Sequence, residues 1–162
     1  MSELPPWCTV PSPFVGRTRV VEKALAAAEM GPVTMVGPPG AGTTTTGGAV
    51  LARALELGRI GEIIAVRVDG CTNISDLMRD MGIALGLMLP GDAATVRRRL
   101  RSAPRVGVLI DDADLAADTA QQVLAIAGPS LLVATGREGV LGTPVAVDPL
   151  TDEQIAPLAR AG

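Results

Sequence analysis

Gly37-Pro38-Pro39-Gly40-Ala41-Gly42-Thr43-Thr44 sets two glycines five residues apart and follows them with two hydroxyl side chains. This is the spacing of a phosphate-binding loop, G-x-x-x-x-G-K-[S/T], except that Thr43 stands in the lysine position. Small residues let successive backbone N–H groups converge on phosphate oxygens, and a helix starting behind them adds the positive end of its dipole. Pro39, Gly40, Ala41, Gly42, Thr43, Thr44 and Thr45 are therefore the candidate phosphate-binding residues. The competing reading is a Gly/Pro turn ahead of a helix, with no ligand. Thr44 falls where a hydroxyl coordinates magnesium. Asp111, ending the apolar run Val106-Gly107-Val108-Leu109-Ile110, falls where a carboxylate holds that ion's water shell. Asp112 is the candidate catalytic carboxylate, at the place where such motifs polarise an attacking water, on a side chain shorter than the usual glutamate. The acidic run 111–114 has a plainer alternative as a helix cap, a role expected above all of Asp114.

These residues need a sheet to carry them. Apolar positions Val20, Val21, Ala24, Leu25 and Ala28 recur at helical spacing from Thr18 to about Glu29, before Gly31-Pro32. Val33 to Gly37 reads as a strand running into the glycine loop, and Thr43 to Leu57 as the helix behind it, stopped at Gly58. Strand, glycine loop and helix is the order a phosphate loop demands. Glu62 to Val68 is a second strand. Asn73 or Ser75 can cap a helix towards Leu87, and Ala93 to Ser102 is another helix, ended by Pro104. After the Val106 strand, Leu115 to Ala127 reads as a helix. Leu131 to Ala134 and Pro144 to Val147 read as strands four and five, and Thr151 with Gln154 has capping-box spacing. Strands alternating with helices specify a parallel sheet covered on both faces, with ligands at the carboxyl ends of its strands.

Bulk properties agree with one α/β core. The 162 residues are 48% hydrophobic and 1% aromatic, so aliphatic side chains must fill it. A net charge of -3 argues against direct nucleic-acid binding. The one basic cluster, Arg97, Arg98, Arg99, Arg101 and Arg105, reads as a solvated face. Histidine is absent, and Cys8 and Cys71 lack metal-ligand spacing, which excludes zinc and histidine acid/base chemistry. No apolar run reaches the roughly 20 residues of a membrane span, and no export signal opens the chain, so a cytoplasmic protein without membrane contacts is expected.

Taken together, Phe14-Val15-Gly16-Arg17, the phosphate loop, Val108-Leu109-Ile110-Asp111-Asp112, Leu132 to Glu138 and Val147-Asp148-Pro149-Leu150 resemble the STAND class of P-loop signal-transduction ATPases. These are relatives of AAA+ and NB-ARC proteins, and the likeness is greatest to the nucleotide-binding module of large LuxR-type and SARP-type bacterial regulators. The resemblance implies a three-layer α/β/α fold with a five-stranded parallel sheet in the order 5-1-4-3-2. It implies ATP or ADP with Mg2+ as cofactors. Val15, Gly16 and Arg17 would lie near the adenine, Thr135 would be a sensor at the end of strand four, and Arg137 would read the terminal phosphate. A surface ion pair is the alternative for Arg17 and Arg137, and a strand terminator for Thr135. Residues 1–13 then form an arm or linker, 14–150 the nucleotide-binding domain, and 151–162 the start of a further helix, without the family's lid segments. Partners would be nucleotide and other protein domains or a second copy.

Thr43 departs from the family pattern in charge. Losing a charge-assisted hydrogen bond of roughly 1.5–3 kcal/mol weakens binding about ten- to a hundredfold. Hydrolysis suffers further, because the same charge stabilises the transition state. The chain's single lysine, Lys23, lies on the first helix.

Overall fold

The computed structural model describes residues 18–38, 42–87, 93–102, 104–128 and 130–147. Five helices and five strands follow one another along them, α1 Thr18–Met30, β1 Val33–Val36, α2 Thr43–Glu56, β2 Glu62–Arg67, α3 Ile74–Ala84, α4 Ala93–Arg101, β3 Val106–Asp111, α5 Ala117–Ala127, β4 Leu131–Gly136 and β5 Thr143–Ala146. All the strand pairs are parallel, in the order β2-β3-β4-β1-β5, which is the expected 5-1-4-3-2 read from the other edge.

Period-two alternation divides each inner strand between two cores. Val106, Val108 and Ile110 of β3 and Leu132 and Ala134 of β4 pack against α3, α4 and α5. Leu109, Leu131 and Val133 point the other way, onto α1 and α2. A parallel strand buried on both faces must be apolar throughout, which is why these strands appear as continuous runs. α1 buries Val21, Ala24, Leu25 and Ala28, one face at helical spacing. The three-layer α/β/α sandwich follows.

Several boundaries shift for local reasons. Asn73, not Ser75, caps α3, accepting from the Asp76 N–H at 2.9 Å while Asp76 takes the Asn73 N–H in return. α3 stops at Ala84 rather than Leu87, because Gly86 turns the chain with φ 76°. The helix expected from Leu115 begins at Ala117, after a 3-10 turn over Ala113–Ala116. Asp114 caps neither piece, since no side chain bonds to either start. The basic cluster is only partly a solvated face. Arg97, Arg98 and Arg101 are exposed, whereas Arg99 pairs with the buried Glu62 of β2 and Arg105 with Glu29 at 3.3 Å. Residues 1–17 and 148–162, with the expected arm and final helix, lie outside the described residues. Among those described, no helix is long and apolar enough to cross a membrane.

The edge strand β5 is seated by backbone contacts. Buried Thr34 of β1 donates its hydroxyl to the Leu141 carbonyl at 2.7 Å and accepts from the Leu141 N–H at 2.9 Å. Gly142 then turns with φ 59°, so close to Pro32 that a methyl group would stand 1.9 Å from its carbonyl oxygen. Left-handed strain and backbone overlap both oppose any side chain there. Gly142→Ala is expected to lower unfolding stability by about 2 kcal/mol or more in a urea titration. An unchanged midpoint would show that this turn is not needed to seat β5.

Candidate functional site

Three strand ends and one helix start converge at the carboxyl edge of the sheet. β1 runs into Gly37, whose N–H bonds to the Gly136 carbonyl at 3.2 Å, so the loop leaves the sheet beside the end of β4. Gly42 precedes α2 with φ 87° and ψ 30°, a left-handed conformation suited to glycine, and it offers no side-chain cap. The first N–H groups of α2 therefore keep their donors directed out of the helix end. Thr46 anchors this turn, its hydroxyl and N–H both donating to the Gly42 carbonyl at 2.7 and 2.9 Å.

At the strand side sits Asp111, 2% exposed at the end of β3. A buried carboxylate needs partners, and this one has three. The Thr44 and Thr135 hydroxyls each donate to Oδ1 at 2.6 Å, and the Arg67 Nε donates to Oδ2 at 3.2 Å. Thr135 is also an acceptor, receiving the Asp112 N–H at 3.0 Å. Asp112 is held by that bond at φ 57° and ψ 39°, and is the one non-glycine residue with positive φ among those described. Such strain costs on the order of 1–3 kcal/mol and persists where surrounding contacts over-determine it.

Between α2 and the strand ends lies a cleft of about 490 Å³, within the usual range for small-molecule sites. Gly37 and Pro38 form one wall, Gly42, Thr43, Thr44 and Thr45 the helix end, Asp112, Asp114 and Leu115 the acidic side, and Gly136 and Arg137 the end of β4. Of the residues singled out in the sequence, Gly42, Thr43, Thr44, Thr45, Asp112 and Arg137 thus line one space. Asp111 and Thr135 stand behind it, linked to it through Thr44 and Asp112. Val15, Gly16, Arg17, Pro39, Gly40 and Ala41 lie outside the described residues.

Two contributors were not singled out as ligand-facing. Asp114 lies over the end of β4, where a methyl group at Gly136 would meet its Oδ1 at 2.8 Å. It lines the cleft instead of capping a helix, because the 3-10 turn shifts the helix start beyond it. Arg67 ends β2 opposite Asp111. Its signal was a charge at the end of an apolar run, informative only once β2 is known to neighbour β3.

Burial raises the Asp112 carboxyl above its ordinary 3.8, and the Asp111 charge raises it further. Arg67 and Arg137 partly oppose the rise, and Asp114 adds to it. A raised folded-state value means that this group favours the fold most below 3.8. That contribution is lost as pH climbs through the raised value. Asparagine stays neutral at every such pH and tolerates the left-handed conformation. Asp112→Asn is therefore expected to melt higher than the parent at pH 7, with the gap narrowing towards pH 3.8. Equal melting temperatures at pH 7 in differential scanning calorimetry would remove the argument.

No family model matches the chain, and no curated protein matches it. Solved structures do resemble it. The Walker-type ATPase PABY2304 of Pyrococcus abyssi superposes with a TM-score of 0.58 at 13% identity, covering 98% of this chain and 60% of its own. PCH-2 of C. elegans superposes with a TM-score of 0.52 at 17% identity, covering 89% of this chain and 48% of its own. The chain thus spans about half to three fifths of the length of these neighbours. At such identities the likeness is one of fold, a three-layer α/β/α sandwich shared with a Walker-type ATPase.

Proposed function

We propose that the chain is the nucleotide-binding switch module of a STAND-type signalling or transcriptional regulator, taking ATP or ADP with weak or absent hydrolysis. The observation that carries this reading is the uncapped start of α2 facing the cleft, with Thr44 hydrogen-bonded to Asp111 at its floor. Backbone N–H groups at a helix start are donors for phosphate oxygens, and the dipole favours the negative charge. Pro39, Gly40 and Ala41 complete the loop in sequence. Val15, Gly16 and Arg17 are assigned to the adenine on the resemblance alone.

The donor set suits magnesium. A threonine hydroxyl and a carboxylate oxygen 2.6 Å apart are hard oxygen ligands of the kind that ion prefers. Among the described residues no group of three or more acidic, histidine or cysteine side chains could cage a metal. In this reading phosphate oxygens and water complete its coordination. Asp112 is the group for orienting a water, Thr135 the sensor that links it to Asp111, and Arg137 the charge that reads the terminal phosphate.

Thr43 supplies a hydroxyl where a lysine would neutralise two phosphates. Lys23, on the exposed face of α1, does not line the cleft. The same residue supports a second reading, in which the fold serves as a nucleotide-independent interaction or oligomerisation module. That reading is also favoured by Asp111, whose two oxygens already have protein partners.

Titration with a fluorescent ADP analogue, with and without magnesium, separates the two. Binding in the micromolar to millimolar range is expected, with phosphate release near background. Folded protein that takes up no analogue at millimolar concentration sinks the first reading. Thr43→Lys is expected to tighten binding about ten- to a hundredfold and to raise phosphate release. A silent Thr43→Lys variant would favour the interaction module.

A further inference from the structure

Arg67 and Asp111 are the last residues of β2 and β3, and the parallel ladder sets them directly opposite each other. The Val68 N–H bonds to the Asp111 carbonyl at 3.2 Å, closing the two strand ends together. The 3.2 Å contact from Arg67 Nε to Asp111 Oδ2 is therefore set by the sheet, unlike a chance meeting of two flexible surface chains. Burial is lopsided, with the Asp111 side chain 3% exposed and the Arg67 side chain 52%. With two hydroxyls on Oδ1, the carboxylate has a full cation on one oxygen and two donors on the other before any ligand arrives.

In the nucleotide-site reading, on which this inference rests, the Asp111 carboxylate and Thr44 hydroxyl also serve magnesium. A guanidinium and a divalent cation sharing one carboxylate repel each other. At a separation of about 6 Å in water-like surroundings, a unit charge shifts the affinity of a double charge roughly tenfold. We propose that Arg67 is a resident counter-ion of Asp111, standing in for a divalent cation's charge, so that the site takes a nucleoside diphosphate with little gain from magnesium. Arg67 is a positioning residue here. It acts through Asp111, and it lies outside the residues lining the cleft.

The counter-ion is tested without nucleotide, by titrating Mn2+ into the full chain and reading the relaxation enhancement of water protons. Two neutral variants, Arg67→Gln and Arg67→Met, guard against one failing to fold, and Arg67→Lys keeps the charge. Either neutral variant is expected to bind Mn2+ roughly tenfold more tightly than the parent, with Arg67→Lys close to the parent. Adding Asp111→Asn to a neutral variant should abolish the gain. No gain, an equal gain in Arg67→Lys, or a gain that survives Asp111→Asn would overturn the proposal. A second arm compares fluorescent ADP affinity with and without magnesium. The ratio is expected near one in the parent and about tenfold in the neutral variants, and a tenfold ratio in the parent would also overturn it. If no variant binds ADP, the nucleotide reading fails, and the Mn2+ titration alone decides the role of Arg67.

Discussion

The carboxylate of Asp111 is the constraint around which this end of the molecule is arranged. Its charge sits at the end of a strand whose other residues are all buried. Leaving it without partners would cost several kcal/mol. The partners come from three elements, Thr44 from α2, Thr135 from β4 and Arg67 from β2. Because each hydrogen bond is directional, meeting them together fixes the height of α2 over the sheet and the relation of β2 to β4 on either side of β3. Thr135 carries the constraint one step further, to the Asp112 peptide and its left-handed turn.

This network explains how Thr43 can stand at its position without disturbing the contacts around Asp111. Thr44 and Asp111 belong to the hydrogen-bonded cluster around the buried carboxylate, so replacing either would leave a donor or acceptor unsatisfied. Thr43 lines the open cleft and forms no part of that cluster. Exchange at position 43 therefore changes the charge presented to a ligand while leaving the packing that the rest of the fold relies on. The motif has a structural half and an electrostatic half, and they are separable because only the first is tied into the hydrogen bonds around Asp111.

Much of the fold was legible in the sequence for the same reason that the inner strands are stable. Strands covered on both faces must be apolar throughout, and Val106 to Ile110 and Leu131 to Ala134 announce themselves as unbroken runs between glycine, proline and acidic punctuation. The strand order came from the resemblance, since periodicity says nothing about which strands are neighbours. What stayed hidden depended on that adjacency. Arg67 is an ordinary charge after an apolar run until the ladder sets it against Asp111. Asp114 looked like a helix cap because a 3-10 turn and an α-helix have the same start signals, and only the path after Asp112 separates them.

Strain at Asp112 and charge at Arg67 act on the site from opposite directions. The left-handed turn carries an acidic side chain to the wall of the cleft, where burial and the neighbouring carboxylates make its ionised form costly. The two guanidinium groups, Arg67 from behind and Arg137 from the rim, offset part of that cost. Among the described residues, the charges that oppose the Asp112 carboxylate are thus arginines at strand ends, and Thr43, Thr44 and Thr45 at the start of α2 bring none. The positive charge near Asp112 therefore depends on strand register, which sets Arg67 opposite Asp111.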